Sequence, residues 1–214
     1  SLLAEAIQSA VDDPEQVAHF AASMSTESQR LAELVQDIIQ LSRVQSTEVA
    51  GQTKTVNLVD VIAEAADRNR VAARKKKIDI DVIAPDALTV FGDEELLKTA
   101  VKNLIENAIV YSGDESLVSV KLRKHKGVAE ISVKDAGPGI SEEDQERIFE
   151  RFYRVDPSRS RQTGGTGLGL SIVKHIAQKH LGEITIKSKL GKGATFTLRL
   201  PMSTTAIEAT GSKK

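Results

Sequence analysis

Apolar residues recur three and four positions apart from Val17 to Leu41, the spacing of one buried helix face. Asp13 and Pro14 precede this stretch and suit the N-cap and first turn of a long helix. A shorter amphipathic pattern at residues 2–10 predicts a helix before it. Because two helices alone bury little apolar surface, we expect a helical hairpin that dimerises into a four-helix bundle. The alternative is a helical spacer packed on the next domain.

The pattern changes after residue 55, where short alternating stretches typical of strands are mixed with helical ones. The alternating stretches are residues 78–82, 88–91, 117–123, 128–134, 183–188 and 195–200. Helical periodicity covers the segment after Asp60, residues 93–110 and the segment that ends near Lys179. Since helices and strands do not alternate regularly, the sequence predicts an α+β two-layer sandwich with a mixed, mostly antiparallel sheet.

Composition adds few constraints. The chain has 214 residues, a net charge of −1 and 40% apolar residues, so we expect a globular protein with no affinity for nucleic acid. It has no cysteine, which excludes disulfides and thiolate metal sites. No apolar run is long enough to span a membrane, and the start inside a helical pattern predicts an excised fragment. The expected parts are a partial hairpin (1–46), a linker (47–55), a second domain (56–202) and a flexible tail (203–214).

Four glycines crowd the stretch from Gly164 to Val173, and a helical apolar pattern follows them. A glycine-rich loop that opens into a helix presents free backbone N–H groups and suits phosphate. The P-loop is excluded because no lysine follows in register, and the dinucleotide fingerprint is excluded because Leu170 stands where its third glycine should be. The alternative is a turn before a core helix.

Two asparagines, Asn103 and Asn107, lie one turn apart at the edge of the apolar face of the predicted helix 93–110, whereas Lys98 is expected to face solvent. An asparagine oxygen is a neutral hard ligand suited to Mg²⁺. Two satisfied amides at the edge of the core are the alternative.

Asp135 follows an alternating strand whose parity turns its side chain inward. A buried carboxylate needs donors, and the exocyclic amine of adenine is a fitting partner. The alternative is a turn aspartate that caps its own loop. Residues 149–163 then contain four arginines with serine and threonine, the composition of a lid over phosphates or of a solvated basic loop.

The ordered motifs resemble the N, G1, F and G2 boxes of sensor histidine kinases. They are Asn103–Ala108, Asp135–Gly139, Phe149–Phe152 and Gly165–Leu170, with Gly191–Phe196 as a further glycine element of that family. The resemblance covers residues 56–201 in order and spacing, and the helical hairpin is similar to the dimerisation and phosphotransfer domain of the family. It implies an ATP-binding domain of the histidine-kinase ATPase type.

Residue by residue, the resemblance implies that Asn107 ligates Mg²⁺, that Asn103 supports the phosphates and that Asp135 binds adenine. The other implied site residues are Tyr111 at the nucleoside; Gly137 and Gly139 beside adenine; Arg154 and Arg159 at the phosphates; Gly165, Gly167 and Gly169 lining the phosphates; and Ile140, Phe152, Thr166, Leu168 and Thr195 elsewhere in the site. Related ATP hydrolases carry a glutamate base where this chain has Asn103, which favours transfer to a protein acceptor over hydrolysis.

Two features depart from the family pattern. Val110 stands where the family often has a phosphate-binding lysine, and the arginine segment or Lys192 is the expected substitute. The motif around the phospho-acceptor histidine is absent, since none of His19, His125, His175 and His180 has that context, so the acceptor is expected upstream of Ser1.

The leading hypothesis is therefore the catalytic core of a two-component sensor, the cytoplasmic part of a membrane-anchored bacterial protein. It would pass the γ-phosphoryl of Mg-ATP to an upstream histidine and then to a response-regulator receiver domain, act as a homodimer, and reach the membrane only through upstream segments. A non-catalytic docking or phosphatase module for the regulator is the alternative. A serine/threonine or metabolic kinase on the same fold is a third possibility.

Overall fold

The structure, a computed structural model, describes residues 13–45, 53–156 and 165–202. The predictions for a first helix at residues 2–10, for most of the linker, for Arg159 and for the tail lie outside the described residues. None of the described helices is both long and apolar enough to cross a membrane.

Helix α1 (Pro14–Gln45) confirms the long helix at the N-terminal end of the described chain. Asp13 caps it as expected, because one of its carboxylate oxygens accepts the backbone N–H groups of Glu15 and Gln16, both at 3.1 Å. The side-chain amide of Gln16 donates to the other oxygen at 2.7 Å. These bonds satisfy donors that a helix start leaves without an intrahelical partner.

The described part of the second domain contributes the helices α2 (Leu58–Lys75), α3 (Glu94–Tyr111), α4 (Glu142–Arg147) and α5 (Gly169–Lys179). Helices α2, α3 and α4 start at side-chain N-caps supplied by Asn57, Asp93 and Ser141. The prediction of a helix at residues 93–110 is confirmed to within one residue. The short α4 was not predicted because it buries no residue and so has no apolar period.

The strands are β1 (Lys54–Asn57), β2 (Asp79–Ile83), β3 (Thr89–Gly92), β4 (Leu117–His125), β5 (Val128–Lys134), β6 (Glu183–Ser188) and β7 (Ala194–Pro201). Five of them form one sheet in the order β2-β4-β5-β7-β6, and β1 pairs with β3 in a second, two-stranded sheet. The β2–β4 pair is parallel and the other three pairs of the large sheet are antiparallel, which confirms the mixed, mostly antiparallel prediction.

The core lies between the large sheet and the helices α2, α3 and α5. Its fully buried side chains include Leu97 and Leu104 of α3, Ile131 of β5, Ile172 of α5 and Leu198 of β7. Each such side chain contributes about 1.5–3 kcal/mol through its removal from water. The core thereby fixes α3, β5 and α5 relative to one another, and these three elements carry the predicted site residues.

Helix α1 packs on α5 along one side and leaves another apolar side exposed. Leu41 and Val44 are buried in the common core, and Leu34 packs partly against it. Leu31 and Ile38, which belong to the same predicted seam, are exposed. The contact with α5 agrees with the alternative of a helix packed on the next domain, and dimerisation through the exposed side stays a prediction.

Two local predictions were wrong. Lys54 and Thr55, assigned to the linker, lie in β1 and pair with β3; the strand was hidden because only one of its four side chains is buried. Lys98, expected to face solvent, has a side chain that is only 13% exposed, because the carboxylates of Glu64, Glu94 and Glu95 surround its ammonium group at 2.7–3.0 Å.

His180 joins the end of α5 to the start of α3. Its Nε2 accepts the backbone N–H of Asp93 at 3.0 Å, and its Nδ1 lies 2.8 Å from the carbonyl oxygen of Ile176. Nδ1 therefore carries the proton and the ring is neutral. Protonation would place an N–H of the ring against the N–H of Asp93. Burial lowers the pKa of His180 below its ordinary value, so burial also favours the neutral ring.

We expect the free energy of unfolding to decrease as the pH falls below about 6.5, the ordinary pKa of histidine. The unfolded chain binds a proton at His180 there, whereas the folded chain does not until the pH reaches its lower pKa, so acid favours unfolding. Thermal melting of the wild type and of His180→Gln at pH 7.5 and pH 5.5 measures the effect. The melting temperature should fall less between pH 7.5 and pH 5.5 in His180→Gln than in the wild type. His125 is exposed in the β4–β5 hairpin, and the control variant His125→Gln should lose as much melting temperature as the wild type does. Equal losses in all three proteins would contradict the assignment.

Candidate nucleotide-binding site

A cavity of about 530 Å³ opens at the C-terminal end of α3 and continues beneath the turn that follows β5. The predicted site residues that line it are Asn107, Tyr111, Asp135, Gly139, Ile140 and Arg154. The residues that sequence reasoning missed include Lys76, Ser112, Ile148, Tyr153, Leu170 and Phe196. The lining thus combines apolar and aromatic side chains with polar groups, as in sites for small molecules with flat rings.

Asp135 lies in the cavity wall with its side chain only 6% exposed, as the strand parity predicted. Its Oδ1 accepts the backbone N–H groups of Gly137 at 2.9 Å and Ala194 at 3.0 Å. The other carboxylate oxygen accepts no hydrogen bond from another residue in the described part of the chain. Burial raises the pKa of Asp135, and the two N–H groups oppose that shift. A buried oxygen without a partner is suited to a donor on a ligand, such as an exocyclic amine.

The turn after Asp135 approaches its neighbours too closely for side chains. A Cβ atom added to Gly137 would lie 2.8 Å from the carbonyl oxygen of Tyr111. Gly139 has a φ of +75°, and a Cβ there would lie 2.1 Å from the carbonyl oxygen of Lys189. Both glycines therefore allow this turn to form a close-packed cavity wall between α3 and the β6–β7 connection.

The two asparagines of α3 have different surroundings. Asn103 is buried, and its Nδ2 lies 3.5 Å from the carbonyl oxygen of Gly169, a weak contact with the first residue of α5. Asn107 lines the cavity and is half-buried, and no hydrogen bond joins its amide to the described residues. Asn107 is therefore an amide whose oxygen can meet a ligand or a hydrated cation, and its role as a Mg²⁺ ligand stays a prediction.

The described part of the glycine-rich loop lies beside the cavity and not in its wall. Gly167 has a φ of +76°, and its carbonyl oxygen accepts the N–H of Phe152 at 3.0 Å. Leu168 is fully buried, whereas the ring of Phe152 is mostly exposed. Gly165 approaches the guanidinium of Arg154. The loop is thus held against the 149–156 segment at the N-terminal end of α5.

Thr166 bonds to α1 and not to the cavity. Its hydroxyl donates to Oδ2 of Asp37 at 2.5 Å and accepts the N–H of Leu168 at 3.2 Å. Burial raises the pKa of Asp37, and the Thr166 hydroxyl opposes that shift. This contact joins the long helix to the loop that the sequence assigned to phosphate.

Thr195 does not lie in the cavity wall, in contrast to the prediction. It pairs with Lys134 of β5 and Lys187 of β6 on the face of the sheet that points away from the helices. Its neighbours Ala194 and Phe196 point the other way and line the cavity. The alternating pattern of β7 contained this information, since adjacent strand residues face opposite sides of a sheet.

Tyr153, which sequence reasoning missed, is fixed at the cavity edge by two side chains of α4. Its hydroxyl donates to Oδ1 of Asp144 at 2.5 Å, and the guanidinium of Arg147 stacks 4.3 Å from the centre of its ring. Ser141 donates to the other oxygen of Asp144 at 2.5 Å. The adjacent Arg154 also lines the cavity, and partial burial lowers its pKa. An aromatic ring beside an arginine brings a flat surface and a positive charge to this edge.

The family described as "Histidine kinase-, DNA gyrase B-, and HSP90-like ATPase" matches residues 92–204, and the chain belongs to this family. Within it the chain is a sensor histidine kinase catalytic core. It is 49% identical over 201 residues to the sensor-like histidine kinase SenX3 of Mycolicibacterium smegmatis, covering 94% of this chain and 52% of SenX3. The chain thus spans about half the length of the curated relatives it matches.

Solved structures agree with this assignment. The mycobacterial sensor histidine kinase MprB superposes with a TM-score of 0.62 at 31% identity, over 71% of this chain and 99% of that chain. The histidine kinase ThkA, in a complex with the response regulator protein TrrA, superposes with a TM-score of 0.71 at 26% identity, over 89% of this chain and 53% of that chain.

Proposed function

We propose that this chain binds Mg-ATP and transfers the γ-phosphoryl group of ATP to a histidine. The acceptor histidine is none of the four in this chain and lies on another helical segment. The observation that carries the proposal is the buried carboxylate of Asp135 in the wall of a cavity of about 530 Å³, one oxygen of which accepts no hydrogen bond from another described residue. Membership of the ATPase family supports ATP as the substrate.

Four side chains of the cavity have roles in this proposal. Asp135 accepts the exocyclic amine of adenine, and Tyr111 contacts the nucleoside. Arg154 lies where it can meet the phosphates, and the N–H groups at the start of α5 add donors on that side. Asn107 would hold Mg²⁺, an ion that neutralises phosphate charge and is shared between protein oxygens and substrate phosphates.

The transfer breaks the bond between the γ-phosphorus and its bridging oxygen and forms a bond from that phosphorus to an imidazole nitrogen. ADP leaves with the bridging oxygen, and the imidazole proton is released to solvent. The family resemblance places Asn103 where related ATP hydrolases have a glutamate base, and an amide cannot act as a general base. The residues of the cavity therefore contribute positioning and charge stabilisation, which suits transfer to a protein acceptor.

The histidines of the chain are poor acceptors. Both ring nitrogens of His180 are hydrogen bonded inside the domain, and Nδ1 of His175 lies 2.7 Å from the carbonyl oxygen of Ser171. His19 and His125 lack the family's acceptor motif. The acceptor in this proposal is a histidine of an upstream helical segment.

A response-regulator receiver domain is the proposed final acceptor, supported by the complex of ThkA with TrrA. A second copy of this chain is the proposed partner of α1, supported by the exposed Leu31, Val35 and Ile38 on one side of that helix. Attachment to a membrane would come from segments upstream of residue 1.

The proposal is tested with ATP labelled at the γ-phosphate and a separately expressed helical segment that carries a Ser-His-Glu-Leu-Arg-Thr-Pro sequence. We expect the chain alone to remain unlabelled and the added segment to acquire an acid-labile, base-stable label. Light scattering on the same sample should give the mass of a dimer.

Three results would contradict parts of the proposal. Labelling of the chain alone would mean that one of its own histidines is an acceptor. An acid-stable label would indicate a serine or threonine kinase. A monomeric mass at the concentrations used would contradict the proposed homodimer.

A further inference from the structure

The ammonium group of Lys76 is hydrogen bonded to the C-terminal end of another helix, α3. It follows α2, and its Nζ donates to the carbonyl oxygens of Ile109 at 3.0 Å, Val110 at 2.8 Å and Ser112 at 3.0 Å. An ammonium group has three N–H donors, so these bonds use all of them. The last carbonyls of a helix lack intrahelical partners and carry partial negative charge. Lys76 therefore caps the C-terminal end of α3 from outside that helix.

The turn that Lys76 holds also contacts the residues around Asp135. Ser112 is buried, and its hydroxyl accepts the backbone N–H of Ala136 at 3.3 Å. The backbone of Gly137 lies against the carbonyl of Tyr111, with no room for a Cβ. The N–H of Gly137 in turn donates to Oδ1 of Asp135 at 2.9 Å. A short path of bonds and contacts thus leads from the ammonium group of Lys76 to the carboxylate of Asp135.

Lys76 also lines the cavity, beside the position where the family often has a phosphate-binding lysine and this chain has Val110. Lys192, the substitute expected from the sequence, does not line the cavity. Lys76 could therefore act either as a phosphate contact or as a support for the adenine end. The three carbonyl oxygens already bound to its ammonium group favour the second role.

We propose that Lys76 is a positioning residue for adenine recognition, which acts through the Ser112 turn to set the distance between Tyr111 and Asp135. The inference rests on the proposed binding of ATP. Without the cap, the carbonyls at the end of α3 repel one another and the turn moves away from Ala136. The carboxylate of Asp135 and the nucleoside contact of Tyr111 then no longer meet one ligand together.

The affinities of adenosine, ADP and ATP for the whole chain, measured by calorimetry for Lys76→Met, test this role. Because Lys76 supports the nucleoside end of the site, the affinity for each of the three ligands should fall about tenfold. The ratio between the adenosine and ATP affinities should stay unchanged. The matched control is Lys77→Met, since Lys77 is exposed and its side chain pairs with Glu115. This variant should bind all three ligands as the wild type does. A loss for ATP that exceeds the loss for adenosine would make Lys76 a phosphate contact and overturn the proposal.

Ser112→Ala keeps the cap and removes the next bond of the path, so it remains informative if Lys76→Met folds poorly. This variant should lower the affinities for all three ligands by one common factor of about five. The double variant should bind the ligands no more weakly than Lys76→Met alone does, because both changes interrupt the same path.

A lowered melting temperature with unchanged affinities would mean that Lys76 is only structural, and would overturn the inference. Failure of the wild type to bind any of the three ligands would instead contradict the proposed function itself.

Discussion

Asp135→Asn should weaken ATP binding by about 100-fold, since a hydrogen bond to a charged group is lost and a buried donor takes its place. The asparagine oxygen can still accept the N–H groups of Gly137 and Ala194, so the turn should keep its shape. Its NH₂ group would then face the cavity, where it opposes the exocyclic amine of adenine. The substitution therefore removes recognition without removing volume.

Calorimetric titration of ATP into Asp135→Asn and the wild type measures this loss. Asp81→Asn, a change of the same kind on an exposed aspartate of β2, is the control and should bind as the wild type does. Inosine triphosphate has a carbonyl oxygen in place of the amine, so the variant should discriminate less between ATP and inosine triphosphate. Unchanged ATP affinity, or unchanged discrimination, would exclude Asp135 as the group that reads the base.

Asn107→Ala should abolish the contribution of Mg²⁺ to ATP binding, with an expected loss of about 30-fold in the presence of the ion. The half-buried amide lines the cavity and makes no hydrogen bond with the described residues, so its removal should leave the fold intact. With excess chelator, the variant and the wild type should bind ATP equally well.

Titrations with and without Mg²⁺ separate this role from a direct contact with the nucleotide. Gln178→Ala removes an exposed amide from α5 and should behave as the wild type under both conditions. An equal loss with and without Mg²⁺ would mean that Asn107 contacts ATP itself and does not act through the ion.

The sequence was sufficient where a short-range rule decides the structure. Strand parity placed Asp135 on the buried side, and helical spacing placed Asn107 at the edge of α3, both as the structure has them. The helical period of residues 93–110 marked the start of α3 to within one residue. These features depend on neighbours within a few positions, and the periods of helices and strands are sufficient to locate them.

Long-range contacts were beyond such rules. The hydroxyl of Thr166 reaches Asp37 across 129 positions, so the loop assigned to phosphate is bonded to α1. The ammonium group of Lys76 reaches carbonyls 33 to 36 positions away. Neither pairing leaves a periodic signal, because it depends on how separate elements pack. Thr195 differs from these, since the alternation of its own strand already placed it on the outer face.

Helix α3 leaves little freedom for neutral sequence drift. Its buried residues are Leu97, Ala100, Val101, Asn103, Leu104, Ile105, Ala108 and Ile109, and its end supplies Asn107 and Tyr111 to the cavity. Most substitutions along it therefore alter either the core or the ligand. A genetic screen for lost ATP binding should collect both kinds in this one helix. A melting curve of the ligand-free protein would then separate variants that no longer fold from those that fold and no longer bind.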